Sequence, residues 1–491
     1  MNSRPARVMT LAAAGVAGTM ATPIVYLAVR AAEAPDPVGL VLSSRVGSLV
    51  WNTVRLAAVV SAAAVVIGVG CAWILERTDI RARRLLGVAA ALPLAMPSYI
   101  AALALVSAFG PGGDLVAIPG LIGFWGAAAV LTLSTYPYVL LVCRAALWSS
   151  LPALDDAATT LGLRRMQRFF RAQFPQLRGA VTASALLTSL YVVSDFGAVT
   201  IFRYATLTRG IFLEYRSSFD RSAAAVMAVL LVVLAVALIA GERLARGPVA
   251  PARLSAAGRH RIVVLGRWRP VVTSLVALPA ALGAGIPAAI AFGWLSDGSR
   301  RSGSGEVLAG AAATSAALSL AAAVVAVVVC LPVAVVAVRR STWLSRIIEG
   351  GALAGYALPG LVVALALVFL ATRSMPFAYQ TVGLVVAAYV VRFMPEALAS
   401  ARPSLASVDP SLADVSRTLG ASKPVTAARV TCPLRCTLSQ ETTVNGGSPA
   451  ARRRGTRIPL LLRGEPPSRI ELETYGLRIH RDFRVTPREI R

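Results

Sequence analysis

Apolar residues run along this chain in long blocks separated by short polar connections. The blocks lack the two-residue alternation of half-buried strands. A helix needs about 20 mostly apolar residues to cross a bilayer, and on that rule the pattern predicts six spans in the first half of the chain and four in the second. They lie near 8–30, 49–75, 86–109, 120–148, 179–202 and 223–241, then near 268–294, 307–338, 349–371 and 377–399. The expected fold is an all-α polytopic membrane protein built as two helical bundles.

The two bundles are copies of one another. Residues 95–106, AMPSYIAALALV, match 357–368, ALPGLVVALALV, at seven of twelve positions. A polar stretch also recurs: Pro152 to Pro175 superposes on Pro410 to Pro433, bringing Asp156 onto Asp414, Gly162 onto Gly420 and Pro175 onto Pro433. Varied polar residues seldom agree by chance, so this match carries more weight than one between two Ala/Val-rich helices. Each copy reads as a short helix, a break at the glycine and a second helix, with the closing proline stopping the second helix. Span and loop keep nearly the same spacing in both halves, so the duplication is parallel.

Charge fixes the orientation. The net charge is +26, yet the arginines are scattered over short loops with no aromatic-interleaved patch, which argues against a nucleic-acid partner and for membrane orientation. The loops at 76–84, 242–267 and 339–346 are Arg-rich and are expected to face the cytoplasm. Counting crossings then puts the N-terminus and both repeated loops on that side. The loop at 203–221, which carries Arg203, Arg209, Arg216 and Arg221, runs against the trend. Arg4 and Arg7 precede an apolar run with no clear cleavage site, so the first block is expected to be retained as a span.

Chemistry-bearing residues are sparse. Five cysteines show no Cys-x-x-Cys pair, and the chain has only two histidines, so a metal site and catalytic residues are not expected. No Gly-x-x-x-x-Gly-Lys-Ser/Thr occurs, and any ATP must be bound by a partner subunit. Asp195 stands in the apolar stretch around YVVSDFG, where a charge is expensive and usually faces a bundle interior or cavity. It is a candidate for the translocation path, with pairing to Arg203 or capping of a break at Gly197 as structural alternatives. Arg144 and Arg402, 258 residues apart, read as snorkelling anchors at the inner ends of two spans.

The repeated stretch resembles the Glu-Ala-Ala loop of ABC-transporter permeases. Asp156, Ala157, Ala158, Gly162, Ala172, Phe174 and Pro175 fill its pattern in the first copy; Asp414, Gly420, Val430, Cys432 and Pro433 fill it in the second, where Val415 and Ser416 replace the two alanines. Residues 1–433 as a whole resemble the fused two-half permeases of bacterial iron(III) importers, and Ser194-Asp195-Phe196-Gly197-Ala198 with Phe202-Arg203-Tyr204 looks like that family's first half. The resemblance implies a multi-pass inner-membrane subunit without its own ATPase site. An extracytoplasmic binding protein would deliver substrate, and two ATPase subunits would dock on loops 152–175 and 410–433. Thiamine and other small-solute permeases share the layout; an ion-gradient-driven secondary transporter is the alternative from another class, but Asp195 is nearly the only intramembrane ionisable residue this reading offers it.

The domain plan is therefore a first permease half at 1–246, a basic linker at 247–267, a second half at 268–433 and a tail at 434–491. The tail has twelve Arg against six acidic residues and no apolar run long enough to span,, and it lacks the apolar content for a core. Duplication would place two more spans after Pro433. The expectation is a disordered tail arising from a shift of reading frame near 431–440, which translation of the other two frames downstream of Pro433 decides.

Overall fold

The computed structural model describes residues 4–148, 157–217, 222–246, 262–296, 305–339, 342–353, 360–406 and Thr418. The tail, the second repeated loop apart from Thr418, and part of the linker lie outside them. What is described is helical, apart from turns and a single two-residue β-bridge.

The first half opens with α1 (Arg4–Ala32) and α2 (Ser44–Arg77). Ser43 starts α2 by accepting a hydrogen bond from the Val46 N–H at 3.3 Å, satisfying one of the donors every helix start leaves open. A bent pair follows, α3 (Arg83–Ala91) and α4 (Ser98–Phe109), then α5 (Phe124–Trp148). After the first repeated loop come α6 (Phe174–Ser194), α7 (Gly197–Ile201), α8 (Leu207–Ser217) and α9 (Ser222–Arg246). The second half contains α10 (Arg269–Ala280), α11 (Ile286–Ser296), α12 (Gly305–Arg339), α13 (Trp343–Leu353), α14 (Gly360–Ser374) and α15 (Val382–Ala406).

Among the described residues, eight helical stretches are long and apolar enough to cross a membrane, against ten expected in the whole chain. The differences have causes in the chain. Residues 86–109 do not form one straight span: Pro93 and Pro97 interrupt the helical bonding, residues 92–95 tighten into a 3₁₀ turn, and the two arms meet at 90°,. Of the stretch expected at 349–371, residues 354–359 lie outside the described ones, and α14 contributes only a short apolar helix. The span expected at 179–202 ends at Ser194, where the chain breaks before α7. The span at 268–294 is continuous through a π turn at Ala281–Gly285.

α2 and α5 form the centre of the first bundle and cross closely at Gly68. A Cβ on that residue would stand 2.6 Å from Val139 Cβ and 2.9 Å from the Leu140 nitrogen and the Tyr136 carbonyl oxygen. Small residues permit such approaches where lipid supplies no hydrophobic drive between helices. Tyr136 is fully buried beside the crossing and donates its hydroxyl to the Ala90 carbonyl at 2.7 Å.

The two halves exchange their first spans. α1 packs on α9 of its own half and also on α12, α13 and α14 of the other, while α10 and α11 pack on α2, α3 and α4. One continuous core accordingly joins Ala13, Met20 and Leu27 of α1 to Val333, Ile348 and Val362. A second, smaller core lies around Leu75, Leu140 and Leu177, toward the end of the first bundle that carries the repeated loop, and Val276 of α10 enters it.

Candidate functional site: the coupling loop and its supports

The first repeated loop is described from Ala157 onward. Residues 157–160 make one helical turn, which closes with Gly162 N–H donating to the Thr159 carbonyl at 3.0 Å and Leu163 N–H to the Ala158 carbonyl at 3.2 Å. These are the two bonds of a Schellman stop, whose left-handed position is Gly162 at φ +70°,. Open space surrounds the site of its missing Cβ, so the glycine is required by conformation rather than by crowding within the chain. Arg168 then ties the second turn to the first through Nη1 and Thr159 Oγ1, 2.8 Å apart.

Beyond the break, Arg165–Arg168 runs through a π turn at Phe169–Gln173 directly into α6. Pro175 therefore does not stop a helix as its position suggested. It follows directly on the π turn, and the helical backbone runs through it into α6,. Ala157 is exposed. Gly162 is exposed between Leu161, 77% exposed, and Phe170, 57% exposed; apolar side chains left in water around a bare backbone turn suit contact with another protein. Asp156, Asp414, Gly420 and Pro433 lie outside the described residues.

The last turn of α2 grips the loop from both ends. Trp73, Glu76 and Arg77 have the i, i+3, i+4 spacing of one helix face. Trp73 Nε1–H donates to Gln173 Oε1 at 2.9 Å where the loop leaves, and its ring meets Phe169 edge-on. Glu76 Oε1 accepts from Arg144 Nε at 2.5 Å where the loop begins, and Arg77, 2% exposed, reaches the Leu147 carbonyl at 3.4 Å. Arg402 in the second half pairs with Glu349. The snorkelling expected of Arg144 and Arg402 is thus corrected: in each case a carboxylate on a neighbouring helix holds the guanidinium, half-buried at Arg144 and largely exposed at Arg402.

The end of the linker is fastened to the same corner. Val263 N–H donates to the Arg77 carbonyl at 2.8 Å and Asp79 N–H to the Val263 carbonyl at 3.2 Å, a short parallel bridge. Asp79 also accepts from Leu265 N–H at 2.9 Å and pairs with Arg269 at the start of α10. The Leu265 N–H, and then the Arg269 guanidinium, hold its pKa below the ordinary carboxylate value,. Between linker, loop and α2 lies a pocket of about 390 Å³ bounded by Trp73, Arg77, Arg168 and Val263.

Asp195 sits in the break between α6 and α7 and is buried. Its Oδ1 accepts from Ser98 Oγ at 2.6 Å and its Oδ2 from Ala198 N–H at 2.9 Å, while its own carbonyl accepts from Thr208 Oγ1 at 2.7 Å. Its contacts are those of a cap on the broken helix, and among the described residues it makes no ion pair with Arg203. Nor is it as isolated as the sequence reading held. Arg392 and Glu396 stand within the α15 span, and both lie within electrostatic reach of Tyr138, whose ring is 6.0 Å from that of Tyr191. Sequence reasoning passed over that pair, although two ionisable residues four apart in an apolar run are a visible signal.

The described spans are those of a multi-pass membrane protein. The chain belongs to the family of binding-protein-dependent transport system inner membrane components, whose pattern matches residues 64–247 and 331–435. It is 28% identical over 430 residues, 86% of its length and 83% of the relative's, to an Fe(3+)-transport system permease protein of Haemophilus influenzae. A sulfate transport system permease protein of Escherichia coli is 31% identical over 27% of this chain and 50% of its own. A probable molybdenum ABC transporter permease protein of Haloferax volcanii is 29% identical over 38% of this chain and 71% of its own. The protein is a multi-pass inner-membrane subunit of an ABC transporter, a class that works with an ATPase and a substrate-binding protein.

Proposed function

We propose that this chain is the fused permease of an iron(III) importer, with its N-terminus and both repeated loops in the cytoplasm and one ATPase subunit docked on each loop. The substrate reading rests on coverage: the iron relative matches both halves in one chain, whereas the sulfate and molybdenum relatives match a minority of it. The orientation rests on the arginines of 76–84, 242–267 and 339–346,.

The observation that carries the coupling role is the exposed Schellman turn at Gly162, flanked by Leu161 and Phe170 and braced from behind by α2. Asp156 and Asp414 would meet basic side chains on the ATPase, and Gly420 and Pro433 would repeat the first turn's role in the second half. ATP would be bound by the ATPase alone. Gly162→Trp is expected to leave the chain in the membrane while reducing co-purification of the ATPase subunit; wild-type recovery of the complex would remove the assignment.

For the substrate route we favour the seam of oxygen-bearing side chains at Tyr138, Tyr191 and Glu396, since carboxylates and phenols suit a hard cation. Asp195 would shape that route by fixing the helix break beside it. Uptake of ferric iron, with sulfate and molybdate as competing substrates, tests the choice. Uptake of either oxyanion in preference to iron would overturn it.

A further inference from the structure

The duplication can be read residue by residue through the corners that precede and follow each loop. At the offset of the proline segment, 262 residues, ILERTDIRARRLLG at 74–87 lies over VAVRRSTWLSRIIE at 336–349. Arg77 falls on Arg339, Arg84 on Arg346, and Leu85-Leu86 on Ile347-Ile348. Two positions trade places in this register. The first half has Glu76 on its long helix and Gly87 on its corner helix; the second has Val338 on its long helix and Glu349 on its corner helix.

Each half keeps one carboxylate, and each carboxylate meets the same cation. Arg144 and Arg402 correspond at the loop offset of 258. Arg144 crosses α3 over Gly87, its Nη1 only 2.4 Å from where a Cβ on that glycine would be, and ends on Glu76 of α2. Arg402 ends on Glu349 of α13, at the position equivalent to Gly87. The glycine in one half thus clears a path to the distant partner that the glutamate in the other half makes unnecessary.

We propose that Arg144 and Arg402 are positioning residues that fix the root of each coupling loop to its bundle, and that the anchoring carboxylate has moved between two equivalent sites. Each arginine lies near the inner end of the helix that feeds its loop, eight residues before the proline that opens the repeat. A guanidinium paired to a second helix in partly buried surroundings holds that helix end in one place. The first loop accordingly follows α2, which also grips its exit through Trp73, while the second follows the corner helix α13. This inference rests on the reading of the two repeats as coupling loops, but the arginine pairing can be tested without it.

The test transplants the second half's arrangement into the first. In the full-length chain in lipid nanodiscs, Glu76→Gln is expected to speed amide exchange at Leu161, Gly162 and Leu163 about tenfold and to weaken binding of the purified ATPase subunit about fivefold. Gly87→Glu added to Glu76→Gln should restore both, because only the far end of the flexible Arg144 side chain has to shift. Glu349→Gln, in turn, should weaken ATPase binding while leaving exchange at 161–163 unchanged. Wild-type exchange in Glu76→Gln, or no recovery in the double variant, would overturn the proposal; so would loss of the Glu76→Gln chain from the membrane, which would make the pair a determinant of folding. Should the wild-type chain fail to bind the ATPase at all, the coupling reading fails while the exchange measurement still decides the arginine's role.

Discussion

Asp195 shows a single carboxylate holding a helix break through both of its oxygens. Its oxygens accept from Ser98 and from the first turn of α7, so removing them strands buried donors, each costing about 1–3 kcal/mol. Asp195→Leu is therefore expected to lower the thermal midpoint and the yield of folded protein, although a leucine partitions into lipid more readily. Asp195→Asn, which keeps one acceptor oxygen, should recover most of the folded yield. A full yield of stable Asp195→Leu protein lacking only transport would instead return the residue to the path. The sequence made Asp195 conspicuous, since an acid in an apolar run is expensive. It could not say which donors would surround it, because Ser98 and Thr208 lie 97 and 13 residues away. The pairing of Arg144 was hidden for the same reason: Glu76 is 68 residues distant.

Among the elements, the α2–α5 crossing and the linker bridge make opposite demands on their residues. At Gly68 the neighbouring atoms are backbone and a branched side chain of α5, neither of which yields easily. Gly68→Ala should destabilise the bundle by about 1–3 kcal/mol, and Gly68→Leu should prevent assembly; thermal unfolding in detergent measures the first and membrane yield the second. The linker bridge is polar, with Thr78 buried and the Asp79–Arg269 pair half-buried beside it. Because the folded-state pKa of Asp79 is depressed, its contribution is fully present above the unfolded carboxylate pKa and is lost only as pH falls through the lowered value,. Asp79→Ala at neutral pH should accordingly expose the Arg267–Trp268 bond to faster tryptic cleavage, and in the wild-type chain cleavage of the same segment by an acid-active protease should begin only below the usual carboxylate range. The hydrophobic pattern predicted most of the long helices because length and apolarity determine them directly. It missed the 90° bend between α3 and α4 because a proline in a span is compatible with a gentle kink or a sharp turn, and packing selects between them. It misjudged Pro175 because a π turn just before the proline lets the helical backbone run on through it,.

For the molecule as a whole, the duplication was legible in the polar loop and the proline segment, while the exchange of first spans was not, since pairing between apolar helices leaves little trace in composition. That exchange has a consequence in time. α1 is made first, yet its sites on α12, α13 and α14 begin about 270 residues later. At a synthesis rate of about 5–20 residues per second, this leaves α1 without those neighbours for roughly 15–50 s. Among the described helices α9 is a partner of α1 made within that interval, and Ala13, Met20 and Leu27 must stay in the bilayer without being claimed by other nascent helices. Lipid, which solvates an apolar helix face well, makes such a delay tolerable where water would not, so the order of birth of the helices and the order of their final neighbours need not agree.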